Sequence, residues 1–92
     1  MPHSAEDKKR ALTRLRRIRG QAEALERAIE AGAECAALLQ QIAALRGAST
    51  GLMAEVLESH LRETFGAGPR AGEPMPDTEI DEVMKIVRAY LK

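Results

Sequence analysis

The stretch from residue 4 to residue 32, SAEDKKRALTRLRRIRGQAEALERAIEAG, decides the fold, because its apolar residues recur at alternating steps of four and three. These apolar positions are Ala11, Leu15, Ile18, Ala22, Leu25 and Ile29. The spacing predicts one long helix, at about residues 5–31, that carries a heptad-like apolar stripe. Ser4 is the expected N-cap, with Asp7 three residues later as in a capping box, and Gly32 is the expected end.

A second helix is predicted to follow at once, at about residues 34–65. Its apolar stripe runs through Cys35, Leu38, Leu39, Ile42, Leu45, Ser49, Leu52, Val56 and His60. Gly47 and Gly51 lie inside this helix, where each costs up to about 1 kcal/mol relative to alanine. We therefore expect them to allow a close approach between helices around Ala48 and Ser49.

The stretch at residues 66–76, GAGPRAGEPMP, is predicted to be a loop because it contains three glycines and three prolines. A third helix is expected at about residues 78–91, capped by Asp77 or Thr78. Its apolar face would carry Ile80, Val83, Met84, Val87, Tyr90 and Leu91.

These three helices predict a single all-α domain over residues 1–92. Two long helices joined by a tight turn form an antiparallel hairpin. A short chain with only one Phe, one Tyr and no Trp buries a small core. We therefore expect two hairpins to pair as a four-helix bundle, so that the protein is at least a homodimer.

The composition also excludes several classes of protein. The single cysteine excludes an internal disulfide and a metal site with two thiolates from one chain. No apolar run has membrane-spanning length and no secretory signal is recognisable, so we expect a cytoplasmic protein with no membrane partner. The sequence has no paired-carboxylate pocket, phosphate-binding glycine loop or nucleophile beside a base, so no enzyme activity is expected.

The charge is unevenly distributed, although the formal net charge is zero. Residues 1–20 carry a net charge of +5, and the remaining residues carry −5. A rigid basic helix can contact successive phosphates, and the absence of interleaved aromatic residues favours duplex DNA over single strands. The candidate DNA-binding residues are Lys9, Arg10, Arg14, Arg16, Arg17 and Arg46. A solvated helix face, in an interaction module with no DNA role, is the alternative.

Pro2 and Cys35 together can react with an aldehyde. Removal of Met1 would leave Pro2 with a secondary amine, which adds formaldehyde and loses water to give an iminium ion that a thiolate can capture. Cys35 is expected in the first turn of the second helix, where the helix dipole favours an anion. The alternatives are that Pro2 is an inert start residue and that Cys35 is a structural core residue.

His60 follows Cys35 by 25 residues. On one helix this separation is about 37 Å at roughly 1.5 Å per residue, so the two side chains cannot share a site within one subunit. In an antiparallel dimer, the Cys35 end of one helix meets the His60 end of its partner. A site between subunits that combines Cys35, His60 and the amino terminus is therefore feasible. An ordinary core or surface histidine is the alternative for a lone His60, and its position on the stripe predicts that it points inward.

The same region could instead bind a metal ion through His3, Cys35, His60 and Glu63, with the Pro2 nitrogen as a further ligand. Thiolate and imidazole ligands suit zinc, copper, nickel or cobalt. Position 64, one turn after His60, would complete a helical ligand pair if it held His or Cys, but it holds Thr64.

The chain resembles the CsoR/RcnR family of helical transcriptional repressors over nearly its full length. The resemblance lies in RLRRIRGQ at residues 14–21, in the ECAALLQQIAALRGASTGLMAEVLESHL segment at residues 34–61, and in the terminal VRAYLK. It implies a dimer of dimers that binds operator DNA when no effector is bound. The family's effector cysteine falls on Cys35 and its histidine on His60.

Within the family, the resemblance is to the formaldehyde-responsive branch, in which the amino-terminal proline falls on Pro2. It implies that formaldehyde bridges Pro2 to Cys35 of a neighbouring subunit, with His60 and His3 in support and no cofactor required. Metal-responsive relatives use His3, Cys35 and His60 with a further ligand at position 64, where this chain has Thr64. A metal-responsive repressor is the alternative prediction.

Overall fold

The computed structural model of the chain describes residues 4–66 and 77–91, and these residues form three α-helices and no strand. Helix α1 spans Ala5–Glu30, α2 spans Cys35–Leu61 and α3 spans Asp77–Tyr90. A π-helical turn, Arg62–Gly66, continues α2. The predicted all-α class is thus observed, but the α-helical part of α2 ends four residues before the predicted position 65. Apart from Gly66, the predicted loop at residues 66–76 lies outside the described residues.

Local backbone chemistry fixes both ends of α1. The Ser4 hydroxyl accepts a 3.0 Å hydrogen bond from the Asp7 backbone N–H, which is the expected N-cap. At the other end Gly32 has φ 74°, a left-handed conformation that glycine adopts without steric cost. The N–H groups of Gly32 and Ala33 donate to Ile29 and Ala28 at 3.1 and 3.0 Å, which forms a Schellman motif. The chain then reverses, and α2 begins at Cys35.

Helices α1 and α2 form an antiparallel hairpin. Two side-chain hydrogen bonds between the helices, Ser59 to Asp7 and Arg14 to Glu55, show its register. The amino-terminal end of α1 therefore lies beside the carboxyl-terminal end of α2. Because α2 is a continuous helix, Cys35 and Ser59 lie about 36 Å apart, at roughly 1.5 Å per residue.

The predicted apolar stripe of α1 is divided between two environments. Ala11, Ile18 and Leu25, which are seven residues apart, are half-buried on the side that faces α2. The alternate positions, such as Leu15 and Ile29, are exposed at 48% and 57%. A hairpin gives each helix only one neighbour, so the single chain covers only one side of the stripe.

The small buried core lies between α3 and the second half of α2. Ile80, Met84 and Ala54 are 0%, 3% and 2% exposed. Leu61, Val87 and Leu91 pack around them. Tyr90, which was predicted on the same apolar face of α3, is instead 86% exposed, because it lies at the edge of that face rather than at its centre.

The two glycines of α2 have different surroundings. A Cβ atom at Gly51 would lie only 2.9 Å from Nη1 of Arg14, so the tip of this long side chain lies against Gly51, but no backbone atom of α1 comes within 4 Å of that position. A Cβ atom at Gly47 would meet nothing within 4 Å, so the predicted close approach is absent there within the chain. Among the described residues, no helix is long and apolar enough to cross a membrane.

Candidate functional site

The basic side chains of α1 form an exposed face over its first half. Lys9, Arg10, Arg14, Arg16 and Arg17 are all exposed, as predicted for groups that contact a polyanion. Part of this face is a cleft of about 520 Å³, lined by Glu6, Lys9, Arg10, Thr13, Arg14, Arg17 and Glu55. We call this cleft the basic cleft. Its dimensions and its cations suit a phosphate group of a nucleic-acid backbone.

Arg46 lies apart from this cleft, on α2. It is exposed and lines a second depression of about 370 Å³ with Ala43, Gly47 and Thr50. The prediction that Arg46 lies exposed between apolar positions of α2 therefore agrees with the structure, but Arg46 is not part of the basic cleft.

Two carboxylates, Glu6 and Glu55, line the basic cleft, and Glu55 is the one that α2 supplies. Its Oε1 atom accepts a 3.2 Å hydrogen bond from Arg14 Nε, and its Oε2 atom is 3.9 Å from Arg10 Nε. Two of the predicted DNA-binding arginines are thus ion-paired to α2 in the free chain. Since α2 supplies this carboxylate, residues of both helices line the basic cleft.

A hydrogen-bond cluster joins the start of α1 to the end of α2. Ser59, which is 6% exposed, donates to Asp7 Oδ2 at 2.8 Å and lies within hydrogen-bond distance of Glu63 Oε1 at 3.3 Å. Arg10 also pairs with Asp7. The Ser59 hydrogen bond is the main reason why the pKa of the Asp7 carboxyl lies below its ordinary value of 3.8.

Cys35 is an exposed free thiol at the first position of α2. No side chain caps this helix end, because the N-cap residue Glu34 makes no side-chain hydrogen bond to it. The position in the first helical turn agrees with the sequence prediction. A thiol on the exposed end of a helix is accessible both to a small electrophile and to a neighbouring subunit.

His60 lies at the opposite end of α2, beside an apolar groove. The groove encloses about 590 Å³ and is lined by Leu52, Met53, Val56, Leu57, His60 and Leu91. His60 itself is exposed, so the expectation that it points into the interior is wrong for a single chain. No residue of α1 lines the groove, and none of the described residues closes it from solvent.

The predicted metal ligands are not brought together within one chain. Cys35 and His60 lie at opposite ends of α2, and Glu63 lies next to Ser59 instead. Among the residues that the structure describes, no three His, Cys, Asp or Glu side chains are placed to hold a metal ion. His3 and Pro2, which belong to the metal and aldehyde predictions, lie outside the described residues.

The arrangement of a basic helical face and an exposed thiol agrees with the comparisons with known proteins. Residues 7–89 match the family described as metal-sensitive transcriptional repressor. The chain belongs to this family, the CsoR/RcnR repressors. Its members are transcriptional regulators rather than enzymes, which confirms that the chain is not an enzyme.

Individual relatives cover the whole chain. An uncharacterised protein encoded in the bioA 5′ region of Serratia marcescens is 53% identical over all 92 residues of both chains. The transcriptional repressor RcnR of Salmonella paratyphi B is 39% identical, again over the full length of both.

A solved structure is also similar. It is a variant of the formaldehyde-responsive regulator FrmR from Salmonella enterica serovar Typhimurium, which is 56% identical and superposes with a TM-score of 0.67. The match covers 97% of this chain and 99% of the FrmR chain. The three-helix fold of this chain is therefore similar to the fold of an experimentally determined structure.

Sequence reasoning missed two residues of the site, Glu55 and Ser59, and it did not predict that Gly51 lies against the Arg14 side chain. Their partners Asp7 and Arg14 are seven residues apart on α1, on the same side as the half-buried apolar residues. This heptad spacing of polar residues next to an apolar stripe was the available signal. It predicts that polar groups of α1 face α2, although it does not identify the residues that they meet.

Proposed function

We propose that this repressor binds operator DNA through the basic face of α1 and is released when formaldehyde bridges Pro2 of one subunit to Cys35 of a neighbour. The observation that carries the proposal is the exposed Cys35 at the start of α2, in a chain that aligns over 97% of its length with a formaldehyde-responsive regulator. The proposal includes action in the cytoplasm as a homo-oligomer.

The covalent step balances with water as its only by-product. The Pro2 amine, freed by removal of Met1, adds to the carbonyl carbon of formaldehyde to give a carbinolamine. Loss of hydroxide gives an iminium ion, and the Cys35 thiolate adds to its carbon. One N–CH2–S bridge forms, the amine and thiol protons leave with the formaldehyde oxygen as water, and the protein gains the mass of one carbon atom.

The geometry requires that the bridge joins two subunits. Asp7 contacts Ser59, which fixes the start of α1 at the end of α2 that lies about 36 Å from Cys35 of the same chain. Pro2 precedes Asp7 by five residues, so it can reach at most about 18 Å from there. The amine of one chain therefore cannot meet its own thiol, and an antiparallel partner would bring the two together.

Exposed apolar side chains support an oligomer. Large apolar residues that this chain leaves at least 44% exposed are Leu12, Leu15, Ile29, Leu39, Ile42, Met53, Ile86 and Tyr90. Against this, only three buried apolar residues form the described core. An apolar surface of this extent is typical of an association interface. We propose that it is covered in a dimer of dimers, with the groove beside His60 facing a partner.

Release from DNA then requires only a difference in stability between two arrangements of the tetramer. A coupling of about 1–3 kcal/mol lowers DNA affinity between 5-fold and 150-fold, and a covalent effector can supply more. His60 of one subunit would lie near Cys35 of the other and help to orient it, with His3 close to the same site.

The experiment is a mobility-shift titration on the duplex upstream of the chain's own gene, with and without formaldehyde. Wild-type protein should bind in a salt-dependent manner and be released by formaldehyde, whereas Cys35→Ala should bind equally well and stay bound. A Cys35→Ala protein that responds as the wild type does would overturn the aldehyde mechanism. Absence of any shift at low salt would favour an interaction module without a DNA role.

The second candidate is a metal-responsive repressor that uses His3, Cys35, His60 and Glu63. The description of the family as metal-sensitive favours it. Thr64 is an exposed residue that offers no strong ligand one turn after His60, which favours formaldehyde instead. Titration of the DNA complex with Ni(II), Co(II), Zn(II) and Cu(I) distinguishes the two, because only a metal-responsive repressor would be released.

A further inference from the structure

We propose that Glu55 competes with DNA phosphates for Arg14 and Arg10, so that this α2 carboxylate sets how tightly the basic face binds DNA. This inference rests on the proposed DNA binding, and it adds a residue outside α1 that controls affinity. In the free chain Arg14 is paired to Glu55, and Arg10 lies between Asp7 and Glu55; DNA binding exchanges the contacts to Glu55 for contacts to phosphate.

The contacts place Glu55 where a phosphate would bind. Arg14 Nε is 3.2 Å from Glu55 Oε1, and Arg10 Nε is 3.9 Å from Oε2. The Glu55 side chain is 20% exposed, whereas those of Arg14 and Arg10 are 45% and 54% exposed. The carboxylate therefore lies beneath the two guanidinium groups in the basic cleft. A phosphate that binds these groups from the solvent side would lie close to the Glu55 carboxylate.

Gly51 makes room for this arrangement. A Cβ atom at Gly51 would lie 2.9 Å from Arg14 Nη1, so the missing side chain lets the guanidinium lie across α2. Gly51 and Glu55 are four residues apart, which places them on the same helix face. Arg14 is thus held over one turn of α2, with a glycine under its tip and a carboxylate at its Nε.

Simple electrostatics predicts the direction of the effect. A phosphate bound to Arg14 would lie within a few ångströms of the Glu55 charge, and like charges at that separation repel. Exposed ion pairs contribute little to stability, so removal of the pair should not unfold the hairpin. Loss of the Glu55 charge therefore should strengthen DNA binding rather than weaken it.

The test compares wild type, Glu55→Gln and Glu30→Gln by fluorescence anisotropy on the upstream duplex and on an unrelated duplex. Glu30→Gln removes the same charge from a residue 16 positions beyond Arg14 on α1, about 24 Å away, which is well over one Debye length (about 14 Å) at 50 mM salt. At about 50 mM salt, Glu55→Gln should bind both duplexes about 5-fold more tightly than Glu30→Gln. Its salt dependence should be steeper, by up to about 0.9 in logarithmic slope for each phosphate newly neutralised.

The same change is then made in the Arg10→Ala/Arg14→Ala background. In that background Glu55 has no arginine to pair with, so the gain in DNA affinity from Glu55→Gln should shrink to the gain from Glu30→Gln. A Glu55→Gln protein that keeps its helical signal but binds DNA as weakly as the wild type, or more weakly, would overturn the proposal. A gain that persists without the two arginines would overturn it as well.

A measurement without DNA separates this inference from the proposed function. The Nε–H resonance of Arg14 in 15N NMR spectra should shift between wild type and Glu55→Gln, because the Arg14 Nε–H loses its carboxylate acceptor. An unchanged resonance would show that the ion pair is absent and end the inference, whether or not the protein binds DNA. A shifted resonance in a protein that binds no duplex would instead count against the proposed function alone.

Discussion

Replacement of Ile80 by alanine should release α3 from the hairpin while α1 and α2 stay folded. Ile80 is fully buried between α3 and α2, and its replacement removes three carbon atoms from a site with no exposure. Such a change costs about 2–5 kcal/mol, depending on how far the site can collapse. A 14-residue helix is marginal in isolation, so α3 depends on this contact.

The remaining contacts of α3 cannot replace that loss. Among the α3 side chains that the structure describes, from residue 79 to residue 90, Met84 is the other buried one. The ion pairs Arg88–Glu58 at 2.8 Å and Arg62–Asp81 at 3.0 Å join partly exposed side chains, so each is worth about 0–1 kcal/mol. The loss at Ile80 is therefore larger than the contribution of either ion pair.

Amide hydrogen exchange measures the effect helix by helix. In Ile80→Ala the α3 amides should lose at least about 30-fold of their protection, which corresponds to 2 kcal/mol, while the α1 amides keep theirs. The control is Ile86→Ala, the same chemical change on the same helix at a residue that is 60% exposed. If Ile80→Ala weakened all three helices equally, or if Ile86→Ala had the larger effect, the described core would not be what holds α3.

Three further predictions concern a cap, a hydrogen bond and the effector. Gly32→Ala should lower the free energy of unfolding by about 1–2 kcal/mol, because alanine is strained at φ 74°; thermal denaturation measures this, and an unchanged stability contradicts the cap. Ser59→Ala should raise the pKa of Asp7, as followed by NMR titration of its carboxyl carbon, and equal values in both proteins contradict the hydrogen bond. Because folding lowers this pKa, Asp7 stabilises wild type above its unfolded pKa, and that contribution disappears as pH falls through the folded pKa; Ser59→Ala should therefore lose less stability on acidification. Ni(II), Co(II), Zn(II) or Cu(I), added one at a time, should leave the protein–DNA complex intact, and release at stoichiometric metal would favour the metal-responsive alternative.

The sequence predicted the helices because their signals are local. Ser4, Gly32 and the apolar repeat of α1 act within a few residues, so the cap, the Schellman end and the long helix follow directly from them. The end of α2 was harder to predict. The helix changes from an α-helical to a π-helical turn at Arg62, and no glycine or proline at residues 62–65 signals this change in the sequence.

The contacts between helices were less predictable. An apolar repeat says which residues share a face, but not which of two neighbouring faces meets the partner helix. Ile18 and Leu15 are equivalent in the repeat, yet only Ile18 is half-buried within the chain. The pairing of Arg14 with Glu55 depends on the register of the hairpin, which the spacing along either helix does not encode.

The predicted site combined residues whose exposure is set within one chain with residues whose surroundings depend on a second subunit. The exposed positions of the α1 arginines follow from helix periodicity, and the structure places them accordingly. Cys35 is also exposed, although periodicity placed it on the apolar stripe of α2. The orientation of His60 was predicted inward because it continues the apolar stripe of α2, but that part of the stripe lines a groove that none of the described residues covers. A residue whose environment depends on a second subunit cannot be placed from the pattern of one chain.

The central claim is that the Pro2 amine of one subunit lies within a methylene bridge of the Cys35 thiol of another. The most direct measurement refolds 14N- and 15N-labelled chains together, treats the mixture with formaldehyde and analyses the digest by mass spectrometry. The account predicts linked Pro2 and Cys35 peptides that carry one added carbon atom, with a mixed-isotope species among them. Treated protein that yields no linked peptide, or linked peptides of a single isotope only, would contradict it.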